Sequence, residues 1–181
     1  MKGLVFTEFL EMVAARFSED MVDDIIEAAN LPSGGAYTSV GTYPHSEMVM
    51  LVQQLSNQTG LAMPTLIKAF GQYLFGRFVF LYPHFFCKLH SAFDFLESIE
   101  NYVHIEVHKL YPDAELPTFE TQRDDAQRTL VMTYRSKHPF AALAEGLIEG
   151  CLAHYHEPAE IQIVDKSVEA TQCVEFHIKR I

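Results

Sequence analysis

Glu100-Asn-Tyr-Val-His104-Ile-Glu-Val-His108-Lys-Leu-Tyr-Pro112-Asp-Ala-Glu-Leu-Pro117 sets one imidazole among apolar helical positions. Counting back from it, Phe93, Leu96, Ile99, Val103, Val107 and Leu110 recur at steps of three and four, the stripe of an amphipathic helix lying on a core. His104 falls at the edge of that stripe. There a neutral imidazole can hydrogen-bond or ligate a metal. The helix ends at Tyr111-Pro112, because the residue before a proline is driven out of the helical region.

Around this helix the chain is of ordinary globular make-up. Its 181 residues, 49% hydrophobic and 20% charged, suffice for one domain with a sizeable core, taken as 1–181 with a helical N-terminal lobe, 1–63, and a second lobe, 64–181. A formal net charge of -11 excludes general phosphate binding, so no nucleic-acid partner is expected. Cys87, Cys151 and Cys173 are widely spaced without a Cys-x-x-Cys pair, which suits reduced thiols and a cytoplasmic location. Glu8 and Glu11 interrupt the N-terminus too early for a signal peptide, and no uncharged run is long enough to span a membrane.

Upstream, Leu4, Val5, Phe9, Val13 and Phe17 share a helical face, and Ser18 with Glu19 and Asp20 starts a second helix that ends near Asn30. Residues 31–43, with Pro32, Gly34, Gly35 and Gly41, form an irregular connection, either mobile or folded over something. No Lys-Ser/Thr follows the glycine pair, so it is not a phosphate loop. Pro44 opens a third helix through Gln58, stopped by Gly60; Pro64 opens a fourth that carries Leu74 and Phe78. More than half of the 14 phenylalanines fall between Phe70 and Phe95, an aromatic wall or plain core.

Beyond Pro117 the period changes to two. Residues 118–122 and 128–134 pair as a hairpin about Asp124-Asp125, and 160–164 and 172–179 alternate as half-buried strands, with a helix from about Phe140 to His154 between the pairs. The fold class is α+β, with a four-stranded antiparallel sheet toward the C-terminus.

Two constellations can carry chemistry. His104 and His108 lie one helical turn apart with Glu100 a turn earlier, which permits a small zinc enzyme; a core histidine with one backbone partner is the plainer alternative. The metalloprotease pattern is missing, since Glu106 sits midway between the histidines on another face. Tyr134 and Ser136 share one face of a strand, where two hydroxyls can bind a carboxylate or form a cross-strand polar pair. Glu145-Gly-Leu-Ile-Glu-Gly150 lets something approach its helix backbone closely.

His104-x-x-x-x-Lys-Leu-Tyr-Pro112, Leu116-Pro-x-Phe119, Tyr134-x-Ser136 and Glu145-Gly-Leu-Ile-x-Gly150, with the opening Met1-Lys-Gly3 and Ala69-Phe-Gly-Gln72, resemble the heme nitric oxide/oxygen binding (H-NOX) domain. That family comprises bacterial gas sensors related to the heme domain of soluble guanylate cyclase. The resemblance covers nearly the whole chain. It implies heme b held between the lobes, His104 as the proximal iron ligand, Pro117 pressed on the porphyrin, and Val5, Phe9, Leu74, Phe78, Leu143 and Leu147 lining the pocket. Tyr134 and Ser136 match the first two members of the family's propionate-binding Tyr-x-Ser-x-Arg motif, and His138 stands in the third place. An imidazole there offers a pH-dependent charge where arginine offers a permanent fork.

Some relatives carry a zinc site near the C-terminus; here only Cys173 remains, after Val168, Glu169, Ala170 and Thr171, so no structural zinc is expected. The resemblance further implies a sensor, not an enzyme, in which nitric oxide on ferrous heme weakens the iron–histidine bond and the lobes move. The output then belongs to a separate partner, such as a histidine kinase or a cyclic-di-GMP enzyme. Leu143 occupies the position that holds tyrosine in oxygen-binding relatives, Leu74 its supporting position, and Phe9 closes the same wall. None can donate a hydrogen bond, so nitric oxide and carbon monoxide are expected ligands and oxygen is not.

Overall fold

The computed structural model describes residues 1–168 and 171–181. Four helices come first: α1 (Gly3–Arg16), α2 (Glu19–Ala29), α3 (His45–Thr59) and α4 (Met63–Leu81). Then follow α5 (Ala92–Ser98), α6 (His104–Leu110), β1 (Thr118–Asp124), β2 (Thr129–Ser136), α7 (Ala141–His154), β3 (Ala159–Asp165) and β4 (Gln172–Arg180). The strands form one antiparallel sheet in the order β1-β2-β4-β3.

Local chemistry sets the helix ends. The Ser18 side chain accepts the Met21 amide at 3.0 Å, and Glu19 and Asp20 sit in the positive first turn of α2. Gly60 stops α3 at φ 73°, a left-handed conformation that costs a Cβ-bearing residue free energy. Residues 31–43 are folded over the start of α1. Gly3 and Leu4 donate their amides to the Gly41 and Ser39 carbonyls at 2.8 and 3.0 Å, supplying partners that the first turn of a helix lacks. Tyr37 stacks on Phe6 and donates to the buried Glu47 at 2.7 Å, which also accepts from Ser33.

Two apolar cores meet along α4. Leu66, Ile67, Phe70 and Leu74 pack with α1, α2 and α3, whereas Phe75 joins α5, α7 and the sheet. On the sheet, Leu130, Met132 and Tyr134 alternate inward beside Val174, Phe176 and Ile178, with Met132 opposite Phe176. Each such fully buried large side chain contributes roughly 1.5–3 kcal/mol. The phenylalanine-rich segment serves as core and wall at once: Phe86 and Phe95 stack at 4.7 Å, with Phe75 edge-on to both.

α4 and α7 approach closely because two glycines face each other. A Cβ on Gly146 would run into the Lys68 carbonyl and lie 2.9 Å from the Gly71 Cα. A part-buried ion pair ties α1 to α4 as well. Arg77 donates through Nε to Glu8 at 2.6 Å and through Nη2 at 3.2 Å, with Glu8 only 3% exposed.

The stripe from Phe93 to Leu110 is not one continuous α-helix. A π-turn over Ile99–Val103 separates α5 from α6, and the His104 amide reaches back to the Ile99 carbonyl. The extra residue in that turn shifts every later side chain around the axis, which spacing of three and four cannot register. Among the described residues no helix is long and apolar enough to cross a membrane.

Candidate heme site

Between the two cores lies an apolar cavity of about 300 Å³. Leu4 and Val5 of α1, Leu74 and Phe78 of α4, and Leu143 and Leu147 of α7 line one wall. His104 and Val107 of α6, followed by Leu116, Pro117 and Phe119, line another; Tyr134, Ser136 and His138 stand at one end. The folded-over 31–43 segment fixes the start of α1, and so brings Val5 to the cavity.

His104 is the polar centre of its wall. Its side chain is 14% exposed, and its Nδ1 lies 3.2 Å from Glu100 Oε2, which leaves Nε2 for the cavity side. Burial lowers the proton affinity of the imidazole, against the opposing pull of the Glu100 charge. A neutral ring with one nitrogen engaged and the other carrying a lone pair is what a metal ligand requires. His108 is exposed and does not line the cavity. Among the described residues no group of three His, Cys, Asp or Glu side chains is arranged to hold a metal ion. Glu169 and Ala170, within the segment where no structural zinc is expected, lie outside the described residues.

At the cavity end, Ser136 Oγ accepts the His138 amide at 3.0 Å, and the Tyr134 hydroxyl points to the His138 carbonyl at 3.4 Å. Burial raises the Tyr134 pKa, so this hydroxyl stays a donor. The His138 ring has two neighbours that sequence spacing did not reveal. Its Nε2 meets Glu115 at 2.9 Å, and its face lies 4.0 Å from the His45 ring. The imidazole holds the Glu115 carboxyl below the usual range. His138 Nδ1 is buried without a partner among the described residues. A buried orphan nitrogen beside two hydroxyls fits an acceptor such as a carboxylate.

Of the residues expected at the pocket, Val5, Leu74, Phe78, His104, Pro117, Tyr134, Ser136, His138, Leu143 and Leu147 all line the cavity. Phe9 does not. It is fully buried in the N-terminal core with its ring edge-on to Phe70 at 5.2 Å, because it faces the other helices of that core and not the cavity. Tyr73 and Tyr82, in α4 and at its end, differ in their access to the cavity. Tyr73 does not line it; Tyr82 does, with its pKa pushed up to about 12 by burial and by its bond to Tyr111. The site missed by sequence reasoning is therefore the polar fringe: Glu100 as the partner of His104, and Glu115 and His45 around His138. Of these only Glu100 carried a signal, its spacing of four from His104.

The family model described as Haem-NO-binding matches residues 2–163. Among solved structures, the Fe(II) unliganded H-NOX protein from K. algicida is 38% identical with a TM-score of 0.93, over 100% of this chain and 97% of that one. The IWP-051-bound H-NOX from Shewanella woodyi in the Fe(II)CO state is 35% identical, with a TM-score of 0.81 over 100% and 95%. At 24% identity and a TM-score of 0.85, over 99% of both chains, an H-NOX protein from S. oneidensis in the Fe(II)NO state shares the fold. No curated protein matches the chain.

Proposed function

The chain belongs to the Haem-NO-binding (H-NOX) family, and we propose that it is a heme-based sensor that takes nitric oxide or carbon monoxide and excludes oxygen. The observation that carries this is the largely buried imidazole of His104, its Nδ1 engaged and its Nε2 left for the cavity, in an apolar stretch of the cavity wall. Heme, when bound, supplies the iron that takes the gas. His104 would ligate it from α6, Pro117 would bear on the ring, and Tyr134, Ser136 and His138 would hold the propionates.

The wall formed by Val5, Leu74, Phe78, Leu143 and Leu147 faces the gas. None of these side chains can donate a hydrogen bond, so the wall would give no support to oxygen, which needs a donor, and would admit nitric oxide and carbon monoxide, which do not. Signalling follows from the placement of His104 on a short helix behind a π-turn. Release of His104 would leave α6 free to shift relative to α1 and α4, which meet the same cavity. The output passes to a separate partner, such as a histidine kinase or a cyclic-di-GMP enzyme.

An absorption spectrum after loading with hemin and reduction tests the proposal. An intense Soret band, shifted by nitric oxide and carbon monoxide but unchanged by air-saturated buffer within the mixing time, is expected. Absence of a Soret band refutes the heme site, and a stable oxy spectrum refutes oxygen exclusion and points to Tyr82.

A further inference from the structure

Glu100 sits inside the π-turn, four residues before His104, and one of its oxygens serves two donors. Oε2 lies 3.2 Å from His104 Nδ1 and accepts the Phe119 amide at 3.0 Å. Phe119 belongs to β1, an edge strand, and is paired with Tyr134 of β2. Its amide is directed away from that partner, toward the helix, and Glu100 satisfies it. The Phe119 ring lies 5.8 Å from the His104 ring, and Pro117 is two residues upstream. One carboxylate thus fastens the imidazole to the strand that begins immediately after Pro117, itself a lining residue of the cavity. The π-turn makes this possible, because the His104 amide bonds to the Ile99 carbonyl and the backbone bulges at Glu100.

We propose that Glu100 is the positioning residue of His104: it fixes the Nδ1–H tautomer, presents Nε2 to the iron, and strengthens that bond by drawing on the Nδ1 proton. The inference rests on the heme assignment of the cavity. A histidine ligand that donates its second N–H to a carboxylate is a more basic and better oriented ligand, and loss of such a partner costs about 10–100-fold in metal affinity. A negative charge behind the ligand also favours ferric over ferrous iron. It therefore opposes release of His104 when nitric oxide binds, and sets how readily the sensor switches. The contact is part-buried, with Glu100 39% exposed, so water screens it in part and an effect at the lower end of that range is expected.

Glu100→Gln and Glu100→Asp test this against a purely structural role as a cap on the β1 edge. In the heme-free protein, nitrogen chemical shifts should report His104 as the Nδ1–H tautomer, and Glu100→Gln should populate the other tautomer. After heme loading, Glu100→Gln should lower the iron–histidine stretching frequency, raise the midpoint potential, speed heme loss about 10-fold and increase the five-coordinate share of the nitrosyl complex. Glu100→Asp, which keeps the charge on a shorter arm, should lie between. Unchanged frequency and potential in Glu100→Gln, or a wild-type His104 found as the Nε2–H tautomer, overturns the inference while leaving the heme site standing. A wild-type protein that takes up no heme overturns the functional assignment and this inference together.

Discussion

The two long walls of the cavity are built from different material. The wall from α1, α4 and α7 presents Val5, Leu74, Phe78, Leu143 and Leu147, and its shape comes from backbone proximity between Gly71 and Gly146. The wall from α6 and the 114–119 segment carries an imidazole, a carboxylate behind it and a strand amide tied to both. One wall discriminates by what it cannot offer. The other binds through a chain of directed hydrogen bonds, each of which constrains the next. Polar side chains therefore matter most on the His104 wall, and size and donors matter most on the leucine wall.

The largest test of that division is His104→Gly, which should abolish protein-bound heme or make it depend on added imidazole, as read from the Soret band. His108→Ala should leave the spectrum unchanged; an equal loss there would move the ligand to the exposed turn and break the comparison. On the leucine wall, Leu143→Tyr, alone or with Leu74→Asn, should create an oxygen complex. A hydrogen bond to the charged ligand is worth roughly 1.5–3 kcal/mol, or about 10 to 100-fold in affinity. Oxygen titration of the ferrous protein measures it, and no gain would mean that the wall does not face the gas.

Gly146→Ala should act on shape alone. Its Cβ would press on the Lys68 carbonyl and the Gly71 Cα, forcing α4 and α7 apart at a cost of about 1–3 kcal/mol, seen as a lower Tm. Thermal unfolding of the heme-free protein checks this, and an unchanged Tm would show that the two helices tolerate separation. The smallest effect is expected at the cavity end. His138→Arg should slow heme transfer to an apo-globin acceptor several-fold, because a guanidinium fork can engage a carboxylate through two parallel hydrogen bonds where an imidazole nitrogen offers one. Glu115 competes for His138 at 2.9 Å, so Glu115→Gln should also slow heme loss. Identical transfer rates in all three proteins would remove His138 from the propionate site.

Much of this molecule is legible in its residues taken in order. The Ser18 cap, the Gly60 stop, the Pro64 start and the alternation of Leu130, Met132 and Tyr134 are local signals, and each appears where the chain places it. His104 stood out because a lone polar group on an apolar stripe needs a partner, and its motif context, with Pro112, Pro117, Tyr134 and Ser136, is spread along the sequence in fixed order. The π-turn was hidden, since an apolar stripe tolerates one extra residue when both flanking helices still bury a face. Phe9 shared a helix face with Val5 by spacing but not by contact, because α1 lies between a helical core and the cavity and its sides meet different neighbours. The amino-acid sequence by itself determined which groups could ligate, donate or exclude, through residue type and short-range spacing. Only the tertiary structure decided which of them meet. Glu100 with the Phe119 amide, His138 with His45 and Glu115, and Gly71 with Gly146 are separated along the chain, and no local propensity encodes the packing of α4, α6 and the sheet edge that brings them within a hydrogen bond or a van der Waals radius.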